Sequence, residues 1–113
     1  MSLYIESPIT GEQIQVAEND FSDRMTWDQA MSACEGLGNG WRLPNKEEFE
    51  VMYEHLHTEG KGNFKDSFPE FQYWSSSEID ADNAWYFNFE DGIAYYSNGK
   101  NSTKSVRAVR TLP

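Results

Sequence analysis

Apolar positions recur at helical spacing twice in this chain and at strand spacing in its final third. Trp27, Ala30, Met31, Cys34 and Leu37 follow the i, i+3, i+4, i+7 rule and share one helical face. Thr26 precedes them and Gln29 lies three residues on, the capping-box spacing, so the first helix is predicted to start at Thr26. Gly36, Gly38 and Gly40 are expected to stop it, because glycine takes the left-handed C-cap conformation without steric cost. A second stripe, Phe49, Met52, Tyr53 and Leu56, follows Asn45, with Glu48 at the reciprocal capping position. Lys46, Glu47, Glu50 and Glu54 then fall on the wet side, and the early acids suit a positive helix N-terminus.

The remaining apolar runs read as strands. Tyr4 to Ile9 is ended by Pro8 and the Thr10-Gly11 turn signal, with Ile14 to Val16 returning. Asp20 to Arg24 is a polar connector, and Gly40-Trp41-Arg42-Leu43-Pro44 reads as a short buried strand between the helices. From Thr58 to Phe71 no period survives, so a long loop is expected, pinned by Phe64 and Phe68. Strands are predicted at Gln72 to Ser77, Ala84 to Phe89, Ile93 to Ser97 and Lys104 to Arg110. Glu90-Asp91-Gly92 and Asn98-Gly99 serve as the hairpin turns. Trp85, Phe87 and Phe89 alternate with Tyr86 and Asn88, as in a strand with one apolar face. This order predicts a single α+β domain over residues 1–113.

Composition narrows the partners more than the fold. A chain of 113 residues buries roughly two-thirds of its unfolded surface. With 38% hydrophobic and 15% aromatic residues, its core is expected to be built from rings. Nineteen acids against nine bases give a formal charge of −10, which repels phosphate backbones and argues against a nucleic-acid partner. No apolar stretch approaches the length of a membrane span, so no membrane insertion is expected. Cys34 is the sole cysteine, so no internal disulfide forms, and no signal-peptide pattern opens the chain. Both features favour a cytoplasmic location. An exported or cell-surface protein is the alternative, should a signal have been removed.

One ordered series of landmarks runs through these elements. Thr26-Trp27, Cys34, Gly40-Trp41-Arg42-Leu43-Pro44, Tyr73-Trp74-Ser75-Ser76, Ala84-Trp85, Phe89, Gly92 and Val106-Arg107-Ala108-Val109-Arg110 together resemble the Lcl C-terminal domain family. This is a bacterial family with a C-type-lectin-like fold, and the match covers roughly residues 21–111. The resemblance implies two helices flanking a twisted antiparallel sheet, with the chain ends close together. Relatives include adhesin tips and variable ligand-binding proteins, and the wider fold resembles the formylglycine-generating enzymes. Family members often carry a cysteine in the last strand. Here that position is Ala108, which leaves Cys34 without a partner and weakens any inference of an extracellular location.

Candidate chemistry is weighed against plain structural duty. One cysteine on an apolar helix face cannot supply the cysteine pair those enzymes need, so no catalytic residue is assigned. His55 and His57 are two apart and are expected at the surface of a fraying helix end, not as metal ligands. Ser75-Ser76-Ser77 offers hydroxyls whose plainer use is bonding to backbone at a strand edge. Asp80, Asp82, Asn83, Glu90 and Asp91 would have to converge to hold calcium; solvated turns are the plainer reading, and no metal or cofactor is expected. Asn101-Ser102-Thr103 fits a glycosylation sequon that a bacterial cytoplasmic protein would not use.

Arg42, Arg107 and Arg110 are read as locks between loops and strands, with an anion site as the alternative. Trp27, Trp41, Pro44, Trp74 and Trp85 are read as structural anchors, and Trp41→Ala is expected to cost about 3–5 kcal/mol if its ring is core. Tyr86, Asn88, Glu90, Asp91, Tyr95, Tyr96, Asn98 and Asn101 form a Tyr/Asn/acid mixture suited to binding. The expected function is thus non-enzymatic engagement of a protein or carbohydrate ligand through the terminal sheet and its loops. An assembly subunit packing on a partner chain is the alternative, and a formylglycine-generating-type or hydrolytic enzyme the least favoured reading.

Overall fold

The chain begins with a hairpin whose two faces are chemically distinct. A computed structural model describes residues 3–112, with the side chains of Ser97 and Asn98 outside the described set. Strand β1 (Leu3–Glu6) pairs antiparallel with β2 (Gln13–Val16), Leu3 opposite Val16 and Ile5 opposite Ile14. Those four side chains are buried, while Tyr4, Glu6 and Gln13 face water, as the period of two requires. Ser7 Oγ accepts from the amides of Ile9 and Thr10, and Gly11 takes a φ of +76° to close the turn. Strand β6 (Val109–Thr111) pairs with the other side of β2, so the first and last strands share one sheet.

Both helices start where their caps predict. Helix α1 (Trp27–Glu35) carries the full Thr26/Gln29 capping box, and α2 (Lys46–His55) the full Asn45/Glu48 box. Trp27, Ala30 and Cys34 are buried, but the stripe ends early, since Leu37 is 49% exposed. Gly36 caps α1 in right-handed geometry; the left-handed turn falls later, at Gly38, Asn39 and Gly40. On α2, Phe49, Met52 and Leu56 are buried and Tyr53 half-buried.

Gly40 to Pro44 does not form the expected strand. Only Arg42 pairs, exchanging two backbone hydrogen bonds of 2.8 and 2.9 Å with Val109. Pro44 has no amide to donate, and Asn45 must already turn to cap α2. The capping carboxylate does double duty: Glu48, 2% exposed, receives both terminal nitrogens of Arg42 at 2.8 and 2.7 Å. That fork ties the first turn of α2 to β6.

A second antiparallel sheet contains β3 (Gln72–Glu78), β4 (Asn83–Asn88) and β5 (Ile93–Gly99), in that order. The fold is therefore α+β with two three-stranded sheets, not one continuous twisted sheet. Residues 104–108 run between the sheets with single bridges, Lys104 to Met25 and Ser105 to Tyr73. A strand from Lys104 to Arg110 does not form: Val106 and Ala108 face α1 and Arg107 the other side, as in a strand, but the backbone bonds go point by point to Met25, Phe21 and Ala17 rather than to one neighbouring strand. Asn98-Gly99 is not a turn either: β5 continues through it, Gly99 pairing with Asn83.

Two clusters make the core. One gathers α2 and the inner face of the second sheet around Phe49, Tyr73, Phe87 and Phe89; the other joins α1 to Leu43, Trp74, Ala84, Val106 and Ala108. Phe64 stacks on Phe89 at 4.5 Å and anchors the long loop, whereas Phe68 is 83% exposed and meets Phe71 of the same loop rather than the core. Arg107 lies between the sheets with its side chain 0% exposed. It donates to Asp20 at 2.8 Å and to the carbonyls of Ala17, Gly62 and Asn63 at 3.0, 2.7 and 3.1 Å. Phe64 covers the guanidinium at 4.3 Å. Asp20 also accepts from the Tyr73 hydroxyl, so one carboxylate in the polar connector organises both.

Candidate functional site

The outer face of the second sheet carries an aromatic row that crosses all three strands. Trp74 pairs with Tyr86 and Tyr86 with Tyr95, so the three side chains emerge on one face. Trp74 is sealed beneath it at 0% exposure, its indole donating to the Met25 carbonyl at 3.0 Å. Tyr86 and Tyr95 stack at 5.8 Å with 24° between planes. The row thus runs from core at Trp74 to solvent at the edge strand.

The β4–β5 turn sets the outer end. Asn88 Oδ1 accepts from the Glu90 amide at 2.8 Å and Asp91 Oδ1 from the Ile93 amide at 3.0 Å. Gly92 sits at φ +74°, where an added Cβ would come within 2.5 Å of Tyr53 Cε2, so the turn is clamped to α2. The Tyr95 hydroxyl donates to the other Asp91 oxygen, and this bond raises the Tyr95 phenol above its ordinary pKa. Burial, and then the Asp91 charge, does the same to Tyr86.

Lys104 is the group that sequence reasoning missed. It is 3% exposed, lies 4.0 Å from the Tyr86 ring centroid and 5.2 Å from that of Trp74, and donates to Gln72 Oε1 at 2.7 Å. Burial lowers its amine to about 8, while the two rings attract the ammonium and oppose that shift. Below pH 8 the folded protein bears the cost of a buried charge. From pH 8 to 10.5 the unfolded chain holds a proton that the fold releases, so stability rises across that window. The rings and Gln72, which favour the ammonium, reduce the effect to on the order of 1 kcal/mol. Urea melts of wild type and Lys104→Met at pH 7 and pH 10 are expected to show this rise in wild type alone.

The predicted binding residues separate in space. Tyr86, Asp91 and Tyr95 meet on the outer face, with Glu90 exposed in the adjoining turn. Asn88 is 8% exposed and serves the turn rather than a ligand. Tyr96, 61% exposed, points to the opposite face, where it meets Trp85 at 5.1 Å. Asn101 is exposed beyond the far end of β5, and the side chain of Asn98 lies outside the described residues.

Trp85 keeps the predicted alternation but not the predicted burial. It lies on the Phe87 side of β4, opposite Tyr86, but beyond the packed core, half-buried, with the Lys46 ammonium 4.6 Å from its ring; the register shift beside it places its extra residue in β5. Trp41 is half-buried too, under the Arg110 guanidinium at 5.1 Å, and Arg110 also donates to Gln15 at 2.8 Å. Only Trp27 and Trp74 are buried indoles. Their nitrogens donate to the carbonyls of Ser75 and Met25.

The other candidates take internal roles. Cys34 is 0% exposed, and burial pushes its thiol up to about 12, so it carries no thiolate at neutral pH. His57 is not a surface residue of a fraying end: it packs edge-on to Phe89 at 5.3 Å, and its Nε2 lies 3.3 Å from Asp66. Ser75 Oγ donates to the Trp85 carbonyl at 2.7 Å, and Ser77 Oγ accepts from the Lys46 amide at 3.1 Å. Asp80 accepts from the amides of Asp82 and Asn83 in the β3–β4 turn, at the opposite end of β4 from Glu90 and Asp91. Among the described residues, no three of His, Cys, Asp and Glu gather at metal-binding distance. No helix among them is long and apolar enough to cross a membrane. A groove of about 770 Å³ between β1 and α2, lined by Tyr4, Glu6, Gln13, Val51 and His55, is remote in sequence from the aromatic row.

No curated protein matches this chain. Residues 11–110 do match one family, described as the Lcl C-terminal domain, and span every landmark from Thr26 to Arg110 together with both capped helices and the second sheet. With nearly its whole length accounted for, the chain belongs to the Lcl C-terminal domain family.

Proposed function

We propose that this protein is a non-enzymatic binding module of C-type-lectin-like fold, engaging its ligand through the outer face of β3–β4–β5 and the adjoining turn. The observation that carries the reading is the Tyr86–Tyr95 stack with Asp91 fixed at its solvent end. Tyrosine offers large contact area at low entropy cost, and a carboxylate held by a turn amide presents an acceptor in fixed direction. The rigid support beneath is Trp74, clamped by Met25 and by Lys104. Two capped helices, first and last strands that flank β2 in one sheet, and a separate three-stranded sheet late in the chain are consistent with the lectin-like arrangement. The buried thiol and the backbone-committed serines favour binding over catalysis.

Glycan and protein arrays probed with wild type, Tyr95→Ala and Asp91→Ala test the reading. Hits with wild type that weaken roughly tenfold or more in either variant are expected, the loss typical of a central contact. An array without hits, or hits indifferent to both substitutions, would defeat it.

A further inference from the structure

The free edge of β5 differs from the other strand edges among the described residues. β5 is bonded to β4 on one side only. Among the described residues, no backbone hydrogen bond from another segment falls on Ala94, Tyr95 or Tyr96. The other outer edges are short or occupied: β1 has four residues ending in Glu6, β3 meets Ser105, and β6 meets Arg42. Exposed edges are normally blunted by charge, proline or a bulge; Ile93 to Gly99 contains no charge or proline, and its register shift falls after Tyr95, leaving Ile93 to Tyr95 in regular pairing. Ile93 is 51% and Tyr96 61% exposed, on opposite faces of that strand.

Charge selects the occupant. Acids flank both ends of the edge: Glu90 and Asp91 precede Ile93, while Asp80 and Asp82 belong to the turn whose Asp82 carbonyl receives the Lys100 amide at 2.8 Å. Most of the nine bases are turned inward. Lys46, Lys100, Lys104, Arg107 and Arg110 each sit over a ring, and Arg42 is held by Glu48. The field outside the molecule is therefore set by its acids. A second copy would bring −10 against −10, which disfavours self-pairing.

Building on the binding role proposed above, we infer that the β5 edge accepts an extended, Lys- or Arg-bearing segment of a partner protein as a fourth strand. Its backbone pairs with Ala94 to Tyr96, its basic side chains reach the acids at either end, and Tyr95 and Tyr96 contact alternate side chains on the two faces.

Titrating the whole protein with an eight-residue peptide of alternating Val and Lys, and with its Val/Glu counterpart, tests this. The Val/Lys peptide is expected to bind at least about tenfold tighter, and to weaken severalfold between roughly 50 and 300 mM salt. Amide exchange at Ala94 to Tyr96 is expected to slow on binding, and Tyr96→Lys, at an exposed position, to reduce affinity without lowering the melting temperature. Equal binding of both peptides, no binding of Val/Lys, or protection at β1 instead would overturn the inference. Array hits lost in Tyr95→Ala alongside failed peptides would leave the binding role standing and remove only this partner; no hits and no peptide binding would remove both.

Discussion

Arg107→Met is expected to lower the unfolding free energy by about 3–5 kcal/mol, the loss typical when one partner of a buried ion pair is removed. The methionine would keep much of the apolar volume against Phe64 but would leave the Asp20 carboxylate and the carbonyls of Ala17, Gly62 and Asn63 without their donor. A small domain has only about 5–15 kcal/mol in total, so the urea midpoint should fall by a large fraction. Asp20→Asn should also destabilise, and the double variant should lose less than the two single losses combined, because the residues share one network. Strict additivity would mean that Arg107 and Asp20 are not coupled.

Trp74→Ala carries the second large effect, about 3–5 kcal/mol. The ring is fully buried, its nitrogen satisfied by Met25, with Lys104 above one face and Tyr86 edge-on at 6.5 Å. Removing it opens a cavity beneath the aromatic row and leaves the Met25 carbonyl without its indole donor. Trp41→Ala, run in parallel, should cost less, about 1–2 kcal/mol, since the ring is partly exposed and packs at the border of the second cluster under Arg110. Equal losses from the two substitutions, by chemical denaturation, would contradict the assignment of Trp74 as the core indole.

What sequence reveals here follows the range of the interaction. Helix starts depend on contacts three residues apart, and both capping boxes formed where Thr26/Gln29 and Asn45/Glu48 predicted them. The β4–β5 turn is equally local, with Gly92 supplying its positive φ. Errors arose where partners lie far apart. Nothing in a polar connector marks Asp20 as the counter-ion of a residue 87 positions later. The period of two places Trp85 on the Phe87 face but cannot show that this end of the face runs past the packed core, where the ring stays half-buried. Gly40 to Pro44 has strand composition, but it meets β6 at Arg42 and β3 at the Pro44 carbonyl, one point each, and Glu48 claims its arginine.

The same reasoning explains the scattered binding set. Tyr86 and Tyr95 come together because they are opposed across β4 and β5, a pairing fixed by the turn between them. Tyr96 is lost from that face because neighbouring strand residues point oppositely. Asn88 was chosen for its amide, yet a carboxamide at the strand end serves the turn amide first. Lys104 escaped notice because a lysine is normally taken as solvated, and its burial depends on a chain segment that threads between two sheets.

Both predicted losses of stability matter to function only if the packed indole and the buried arginine underlie a surface that does the binding. Amide exchange recorded with and without an array-identified ligand tests that most directly. Slower exchange confined to the strand pair joined by Gly92 is the expected result; slowing along the cleft beside the first hairpin, with that pair unchanged, would contradict it.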